Sequence, residues 1–452
     1  MAHDPNKSSN KKNHDNVVFY SSKPEGSSVK SSAAVKQSAF SKRRLTKKQV
    51  GLNILLSVIS VLLILSGCVC IVVYTYFHRI NYREISVDGG NDSSESSRFI
   101  HDNSDAPAES SEINPYSGAL LNDPMVLNIM LFGEDTRKGS DIGNSDTMVL
   151  FSIDTRHKKL KMLSFMRDTY VDIPGYGENR INAAYTYGGA ALTVSTIQKN
   201  YGIKIDRYAV VDFSSFKKII DVLGGIDVPL TAEEVDYINW QFWINQQEEY
   251  KQAEGDYKEY VRSELKYTWY NLSDDEKPIH KDKLTFTSGS EDDEPTAVVH
   301  LNGTQTLWHA RNRGEDGICS GDDFTRTKRQ RNVIGIIIDD LKGSDVPTLL
   351  SVIYEIGPLI TTNIKTSEIT SLAGDMPSYL KYPIVSEAAP RVNGIGSVFS
   401  FSDEYRPVYI DGVFSSVILI NDWNDFRQQI AEFLYEEQVV HHDTAESTVS
   451  GE

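Results

Sequence analysis

One uncharged apolar run constrains the 452-residue chain more than any other feature. It covers the 26 residues 52–77, which exceeds the roughly 20 residues that a helix needs to span a bilayer. A basic cluster precedes the run, and two arginines, Arg79 and Arg83, closely follow it. The cluster consists of Lys42, Arg43, Arg44, Lys47 and Lys48. Since basic residues stay on the cytoplasmic side, we expect one membrane anchor over 50–78, with the N-terminus in the cytoplasm and the rest outside.

Two other interpretations of this run have less support. A cleaved signal peptide has a short apolar core followed by a small-residue site, whereas this run is long and no such site follows. The letters LSGC at 65–68 resemble a bacterial lipobox, but the apolar run continues nine residues past Cys68.

Charge is distributed unevenly along the chain. The net charge is −17, yet residues 1–49 carry eleven Lys and Arg against three Asp and Glu. The remainder is therefore strongly acidic, which makes it a poor binder of nucleic acid. We expect 1–49 to be a disordered basic cytoplasmic tail, 79–123 a flexible stalk and 437–452 a polar tail.

The remaining sequence predicts one α/β domain over 124–436. Short apolar runs predict buried strands, and apolar residues at helical spacing predict helices. The predicted strands are 125–132, 147–154, 159–166 and 207–213. The predicted helices are 183–200, 214–225, 302–311, 323–342, 345–357 and 423–436. Residues 232–285 are rich in aromatic and charged side chains, and we interpret them as a helical insertion.

Several other chemistries lack their sequence signatures. The chain has no G-x-S-x-G nucleophile motif, no Walker loop and no H-E-x-x-H zinc motif. Cys68 and Cys70 lie in the apolar run and Cys319 stands alone, so no disulfide framework is expected in the outer part. Cys319 and His309 are more simply explained as incidental or packing side chains than as catalytic groups.

Two aspartates are placed where a sheet could hold a ligand. Asp135 follows the predicted strand in LFGEDTR, and Asp146 begins the next strand in NSDTM. Both carboxylates would then lie at one edge of the sheet, where α/β folds place ligands. Hard oxygen ligands of this kind suit magnesium bound together with phosphate. The alternative is that both residues are turn or cap residues.

Arginines are concentrated in the same stretches. Guanidinium groups match phosphate oxygens with two parallel hydrogen bonds, so this density predicts an anionic ligand. In the helix 323–342 three side chains, Arg326, Arg329 and Gln330, share one face. The full set is Arg137, Arg167, Arg180, Arg311, Arg313, Arg326 and Arg329. The alternatives are surface ion pairs and a solvated basic helix face.

The ordered stretches resemble one family. They read NIMLFGEDTR, SDTMVLFSID, SFMRDTYVDIPGYGENRINAAYTYGG, YAVVDFSSFKKIIDVLGGIDV, LNGTQTLWHARNR and GDDFTRTKRQR. Together with the single anchor they are similar to the LytR–CpsA–Psr cell-wall glycopolymer ligases of Gram-positive-type bacteria. The resemblance implies an α-β-α sandwich around a central mixed sheet. It also implies transfer of a glycopolymer from undecaprenyl pyrophosphate to the 6-hydroxyl of N-acetylmuramic acid in peptidoglycan, with magnesium or manganese.

The resemblance also implies roles for individual residues. The metal ligands would be Asp135 and Asp146. The catalytic set would be Asp135, Asp146, Arg167 and Arg311. The substrate-binding set would be Arg137, Arg167, Arg180, Asn182, Tyr185, Arg311, Arg313, Asp323, Arg326, Arg329 and Gln330.

Three departures from the family pattern are visible. The common D-F-G-R reads Asp323-Phe324-Thr325-Arg326, and the usual Ile-Pro before the arginine reads Phe165-Met166. The insertion 232–285 is also longer than typical. The polymer stays open between teichoic acid, capsule and other wall polysaccharides. Two other functions also stay open: a non-catalytic polyprenyl-pyrophosphate-binding envelope regulator, and a pyrophosphatase that uses water as the acceptor.

Overall fold

The computed structural model describes residues 81–83, 115–135, 144–289, 294–391, 406–410 and 413–436. The predicted membrane anchor, the two tails and most of the predicted stalk lie outside these ranges. The described parts of the stalk are 81–83, which includes a strand of the central sheet, and 115–123. Within the described ranges, no helix combines the length and the apolar character needed to cross a bilayer.

A seven-stranded sheet forms the centre of the fold, in the order β1-β10-β7-β2-β3-β4-β11. Its strands are β1 (Asn81–Tyr82), β2 (Val126–Asp135), β3 (Asn144–Asp154), β4 (Lys159–Phe165), β7 (Arg207–Asp212), β10 (Thr361–Thr362) and β11 (Ile384–Ala389). Three two-stranded sheets accompany it. They pair β5 (Tyr170–Ile173) with β6 (Gly177–Arg180), β8 (Ile226–Thr231) with β9 (Thr296–Leu301), and β12 (Arg406–Ile410) with β13 (Val413–Val417).

The helices are interspersed among these strands. They are α1 (Ile181–Tyr201), α2 (Phe213–Val222), α3 (Ala232–Ile244), α4 (Glu248–Gln252), α5 (Gly255–Trp269), α6 (Gly303–Arg311), α7 (Asp323–Asp340), α8 (Val346–Ile356), α9 (Thr366–Tyr379) and α10 (Trp423–Tyr435).

Strand directions bring several carboxyl ends to one edge of the sheet. β2 runs parallel to β7 and antiparallel to β3, and β3 runs antiparallel to β4. β4 in turn runs parallel to β11. The ends of β2, β4, β7 and β11 therefore meet at the same edge as the start of β3. The predicted mixed sheet is confirmed.

Alternating side chains bind helices to both faces of the sheet. On one face, Met130, Phe132 and Leu150 are buried in a large core with residues of α1 and α10, such as Tyr201 and Phe426. The neighbouring positions point to the other face. There a smaller cluster joins strand residues to α7, α8 and the end of α9. Its buried members are Ile153, Leu160, Ile338, Leu349 and Leu380. Flanking helices thus enclose the sheet.

Several elements differ from the sequence-based expectation. The hairpin β5–β6 and the strand β9 were not predicted, because runs of four to six residues carry too little alternation to be recognised. The strand β2 continues to Asp135, three residues beyond its predicted end. Residues 232–269 form three α-helices as expected, but the only helical turns over 270–285 are two short 3-10 segments.

A buried ion pair lies between β3, β4 and the end of α10. Lys161 is 1% exposed and Asp154 is fully buried, with Lys161 Nζ 2.7 Å from Asp154 Oδ2. Lys161 Nζ also donates to the Leu434 carbonyl at 2.8 Å. Glu436 also pairs with this ammonium, at 2.9 Å, but its side chain is partly exposed. Removing Asp154 therefore leaves Lys161 without its fully buried counter-charge.

We therefore expect Asp154→Ala to lower the free energy of unfolding by about 3–5 kcal/mol. The double variant Asp154→Leu with Lys161→Met removes both charges and should regain most of that loss. Urea denaturation of the three proteins measures the effect. A double variant as unstable as Asp154→Ala would contradict this explanation.

Candidate functional site

A β-bulge presents Asp146 at the carboxyl edge of the sheet. Gly133 pairs with Thr147, but the next residue, Glu134, pairs with Ser145. The register shift leaves Asp146 as an extra residue on β3 without a partner on β2. Bulges of this kind redirect a side chain and are common beside functional sites. No local sequence pattern indicates this bulge. Both aspartates nevertheless lie at the sheet edge that the strand pattern predicted, at the end of β2 and the start of β3.

Three arginines from distant segments surround the Asp146 carboxylate. Arg167 follows β4 and donates to Oδ1 at 3.0 Å. Arg313, from the loop after α6, donates to Oδ2 at 3.0 Å. Arg326, in the first turn of α7, lies 3.8 Å from Oδ2 and donates to the Asp146 backbone carbonyl at 3.1 Å. The structure thus brings together residues that are up to 180 positions apart.

Asp323 is a second carboxylate within the same cluster. Its Oδ1 lies 2.9 Å from Arg326 Nη2, 3.4 Å from Arg167 Nε and 3.5 Å from Arg313 Nε. Three guanidinium groups therefore share two carboxylates, and this arginine cluster (Arg167, Arg313, Arg326 with Asp146 and Asp323) has one positive charge in excess. Asp168 and Arg180 extend it by a further pair at 3.5 Å.

Burial and neighbouring charges shift the pKa values in this cluster. Burial alone would raise the pKa of Asp146, but Arg167, Arg326 and Arg313 together hold it below its ordinary 3.8. Burial raises the pKa of Asp323 in spite of the same arginines. Burial also lowers the pKa of Arg326 to about 10, while Asp323 opposes this shift and the two other arginines add to it. Burial lowers the pKa of Arg167 as well, but Asp323, Asp168 and Asp146 outweigh it and raise the pKa overall. Arg326 is thus the least well compensated arginine of the cluster, and an additional anion beside it would stabilise its charge.

Asp135 and Arg311 form a looser pair beside the cluster. Arg311 Nη2 lies 3.7 Å from Asp135 Oδ2, and half of the Arg311 side chain is exposed. Its guanidinium lies 4.3 Å from the centre of the Phe213 ring, at the start of α2. Arg311 is therefore held in place by an aromatic ring and one distant carboxylate, and its hydrogen-bonding edge stays accessible.

Other predicted residues support the site from behind. Arg329 is buried, with Nε 2.6 Å from Glu234 and Nη1 donating to the Asn312 carbonyl at 2.9 Å. Gln330 Nε2 donates to the Ala310 carbonyl at 3.3 Å. Both side chains thus hold the segment that carries Arg311 and Arg313.

The remaining predicted residues are distributed around this arrangement. Tyr185 is buried in the core between the sheet and the helices α1 and α10, where its ring centre lies 5.4 Å from that of Phe132. The backbone N–H of Asn182 donates to the Arg167 carbonyl at 3.2 Å, which fixes the start of α1 against the arginine. Arg137 lies outside the described residues.

The helical insertion is tied to the arginine loop, defined here as residues 312–322. Glu315 in that loop pairs with Arg262 and Lys266 of α5, the latter at 2.7 Å. Burial would raise the pKa of Glu315, but the two cations hold it below its ordinary value. The Ser320 hydroxyl donates to Glu233 of α3 at 2.7 Å. Sequence reasoning missed these acids because nothing distinguishes them from surface carboxylates until the loop is folded.

The two groups set aside in the sequence are buried near this loop. Burial lowers the pKa of His309 to about 4, so the ring is neutral at pH 7. Burial also raises the pKa of the Cys319 thiol, which keeps it protonated and a weak nucleophile. Asn312 Nδ2 donates to the Cys319 sulfur at 3.3 Å. Both residues therefore act as packing groups of the loop.

A group of metal-type side chains lies elsewhere in the described structure. Asp154, His157 and Glu436 each offer a ligand atom within 4.8 Å of the others. Lys161 Nζ, however, lies 2.7 Å from Asp154 and 2.9 Å from Glu436. Lys159 Nζ lies 2.9 Å from Glu436 as well. Two ammonium groups therefore already compensate the two carboxylates, and the group is an ion-pair network that is buried at Asp154 and exposed at Glu436.

The described structure is thus a mixed sheet with flanking helices that carries an arginine-rich, carboxylate-bearing edge. The chain belongs to the LytR_cpsA_psr family, whose model matches residues 90–403. The resemblance stated from the motifs is thereby confirmed.

Individual relatives are similar over different parts of the chain. It is 40% identical over 127 residues to the regulatory protein MsrR of Staphylococcus aureus, an alignment covering 28% of this chain and 38% of that protein. It is 28% identical over 271 residues to the polyisoprenyl-teichoic acid–peptidoglycan teichoic acid transferase TagU of Bacillus cereus, covering 60% and 69%. The crystal structure of Bacillus subtilis TagV has 23% identity and a TM-score of 0.44, covering 69% of this chain and 98% of that one.

The lowered pKa of Asp146 leads to a pH-dependent prediction. A carboxylate with a depressed folded-state pKa adds stability that is complete above its ordinary 3.8 and is lost as the pH falls through the lower value. Asp146→Asn should therefore cost about 1–3 kcal/mol of unfolding free energy at pH 7, and the difference should shrink below pH 3.8. Urea denaturation at pH 7 and at acid pH measures it. The exposed Asp256→Asn is the control, and a constant difference for Asp146→Asn would contradict the prediction.

Proposed function

We propose that the protein is a phosphotransferase that moves a glycopolymer from a polyprenyl-pyrophosphate carrier to peptidoglycan. The observation that carries the proposal is the arginine cluster, in which three guanidinium groups share two carboxylates at the sheet edge. TagU and TagV, to which the chain is similar, bear the name of teichoic acid transferases.

Phosphoryl transfer demands little covalent chemistry from a protein. The reaction depends on holding the phosphates in position and on neutralising the charge that develops on their oxygens. Arg167, Arg313 and Arg311 are each partly exposed and can turn from carboxylate to phosphate oxygens without leaving the site. Their forks can grip the two phosphates of a diphosphate in a fixed orientation.

We propose that a divalent metal binds at this edge together with the substrate, because Asp146 must first release Arg167 or Arg313, which now bond both of its oxygens. Asp135 has one guanidinium at 3.7 Å, and the lowered pKa of Asp146 keeps it ionised. Carboxylates together with substrate phosphates are the ligands that magnesium prefers. We propose that Asp135 and Asp146 hold Mg²⁺ or Mn²⁺. The ion would offset phosphate charge as the bond to the carrier breaks.

The polyprenyl tail needs an apolar surface that starts at the arginines. The helix α7 carries Arg326 in its first turn and Ile338 about 18 Å further along. The face of the sheet that packs against α7 carries five buried apolar residues and nine that are only partly buried. The core on the opposite face is far more completely enclosed. The α7 face is therefore the better candidate for a long apolar chain.

We further propose the cellular arrangement that the sequence suggests. Residues 50–78 would anchor the chain, and the described domain would lie outside the cell, within reach of peptidoglycan. The domain limits 124–436 and the α-β-α sandwich belong to the same proposal. Teichoic acid and capsule polysaccharide both remain candidates for the transferred polymer.

One observation favours a second function. The relative with 40% identity, MsrR, is named a regulatory protein. A non-catalytic regulator that binds the polyprenyl pyrophosphate would need the arginines but would transfer nothing. A pyrophosphatase would release the polymer to water. Following the fate of a labelled polymer with and without peptidoglycan distinguishes all three.

The arginines provide the direct test of ligand binding. A charge-assisted hydrogen bond contributes roughly 1.5–3 kcal/mol, so Arg167→Ala, Arg311→Ala and Arg313→Ala should each weaken binding about ten- to a hundredfold. Combined variants should lose less than the sum, because one lost contact misplaces the ligand for the others. Lysine should restore binding only partly.

The measurement is the affinity of the purified chain for a short polyprenyl-pyrophosphate sugar. The matched control is Arg156→Ala, a surface arginine paired with Asp123 far from the cluster. Unchanged affinity in the three site variants would make the cluster a structural ion-pair network.

Metal binding can be measured apart from transfer. With the short polyprenyl pyrophosphate present, the loss of the free Mn²⁺ signal in electron paramagnetic resonance reports bound ion. Asp135→Asn should weaken Mn²⁺ binding about tenfold or more. It should leave the arginine cluster intact, since within the described residues Asp135 pairs with Arg311, which is not a member of that cluster. Asp339→Asn, in an exposed pair with Lys342, is the control. Equal binding by Asp135→Asn and the control would overturn the metal proposal.

A further inference from the structure

The outer face of the insertion carries an unusual set of exposed side chains. Four tyrosines, each more than half exposed, lie on or just after α5. We call them the tyrosine face, and its members are Tyr257, Tyr260, Tyr267 and Tyr270. Elsewhere in the described structure, exposed large apolar residues are mostly isolated aliphatic ones, such as Leu120, Met125 and Val298. A concentration of one aromatic residue type indicates a binding surface.

Helical geometry separates this face from the core. At 100° per residue, positions 257, 260 and 267 fall within one side of α5. Trp269 points the opposite way, where it is buried against the tryptophan cluster of α3, and Val261 is buried on the flank between Tyr257 and Trp269. Tyr260 and Tyr267 are therefore not needed to pack α5 onto the domain, whereas the Tyr257 hydroxyl donates to Glu249 of α4 at 3.1 Å.

The tyrosine face begins beside the arginine loop. Tyr270 lies so close to Gly317 that any side chain at that glycine would collide with the tyrosine hydroxyl. Arg262 and Lys266 bind Glu315 of the same loop from the side of α5 opposite Tyr257 and Tyr260, so Tyr270 is the member of the face that touches the loop. From Tyr270 the tyrosines extend along the helix for about 20 Å and turn away from the loop. A ligand that spans Tyr270 and one or more of the other rings could thus reach the arginine loop.

The chemistry of the surface selects the kind of ligand. A sugar ring presents a flat C–H face that stacks on an aromatic ring, and its hydroxyls can bond to tyrosine hydroxyls. Tyr257 and Tyr260 are stacked side by side, with ring centres 6.2 Å apart and planes 22° apart, and form one broad platform. An apolar protein partner would instead favour exposed aliphatic side chains, which are absent from the exposed large residues of this helix.

Charge separates the two polysaccharides of the proposed reaction. Residues 248–270 contain six acidic and four basic side chains, and two of the basic ones are engaged by Glu315. The surface around the tyrosines is therefore negative and repels a polyanionic polymer such as the phosphodiester chain of a teichoic acid. A glycan strand whose sugars carry little charge would not be repelled in this way.

We propose that the tyrosine face binds the glycan strand of peptidoglycan and directs the acceptor hydroxyl toward the arginine cluster. This inference rests on the proposed function for the identity of the acceptor. It assigns to the insertion the recognition of a polysaccharide by aromatic stacking.

Cosedimentation of the full chain with purified sacculi, freed of protein and wall polymers, tests the inference. The triple variant Tyr257→Ser, Tyr260→Ser, Tyr267→Ser should bind sacculi about tenfold more weakly or worse, since three stacking contacts are lost. The matching triple Phe variant keeps the rings and should bind nearly as well as wild type. Glu259→Ser with Glu264→Ser, two exposed non-aromatic changes on α5, should also retain binding.

The single variant Tyr267→Ser keeps the test valid if the triple variant fails to fold, because Tyr267 is 77% exposed and its loss should not disturb the domain. It should weaken sacculus binding measurably without changing the melting temperature. If this variant and the triple Ser variant both bind sacculi as well as the wild type does, the inference is wrong. The same conclusion holds if the changes only separate two copies of the chain and leave sacculus binding unchanged.

The two proposals fail in distinguishable ways. The triple Ser variant should keep its affinity for the short polyprenyl-pyrophosphate sugar, and Arg313→Ala should keep its affinity for sacculi. Unchanged lipid affinity in the arginine variants counts against the transferase, whereas unchanged sacculus binding in the tyrosine variants counts only against the glycan surface.

Discussion

The ion pairs of Asp146 organise the carboxyl edge of the sheet. They draw the end of β4, the arginine loop and the first turn of α7 to one point, although these segments are far apart in the chain. Partly buried charges are costly unless they are paired, so the arginines can gather here only because two carboxylates accompany them. The excess of one guanidinium leaves the cluster ready for an anion, which can take over contacts that the carboxylates now make.

The insertion has a structural part in this arrangement as well as an outward surface. Glu315 and Ser320 bind the arginine loop to α5 and α3, and Arg329 joins Glu234 of α3 to the backbone at Asn312. The loop also closes on itself where Glu315 N–H donates to the Cys319 carbonyl at 2.7 Å. Arg313 is thus positioned by residues of the insertion, and the proposed phosphate site and the proposed glycan surface share one support.

Much of the fold followed from the sequence because its signals are local. The apolar strands at 125–132 and 159–166 and the helix at 323–342 were predicted within a few residues. Asp135, Asp146 and most of the arginines could be chosen because their residue types suit a metal and phosphates. The roles of Glu315 and Glu234 depend on contacts between distant segments, which no local pattern records. The same holds for Arg329. The sequence predicted the helix face on which it lies, but its partner is a buried glutamate, Glu234, from a distant segment.

The bulge at Asp146 has a consequence for comparing relatives. It adds one residue to β3 and none to β2, so the phase of side chains changes between Ser145 and Thr147. Loss of that single residue would restore regular pairing and leave no side chain aimed at the three arginines. In an alignment this would look like an ordinary one-residue gap near the start of a strand. A relative with such a gap would keep the family's overall sequence pattern while lacking the anchor of its charged edge.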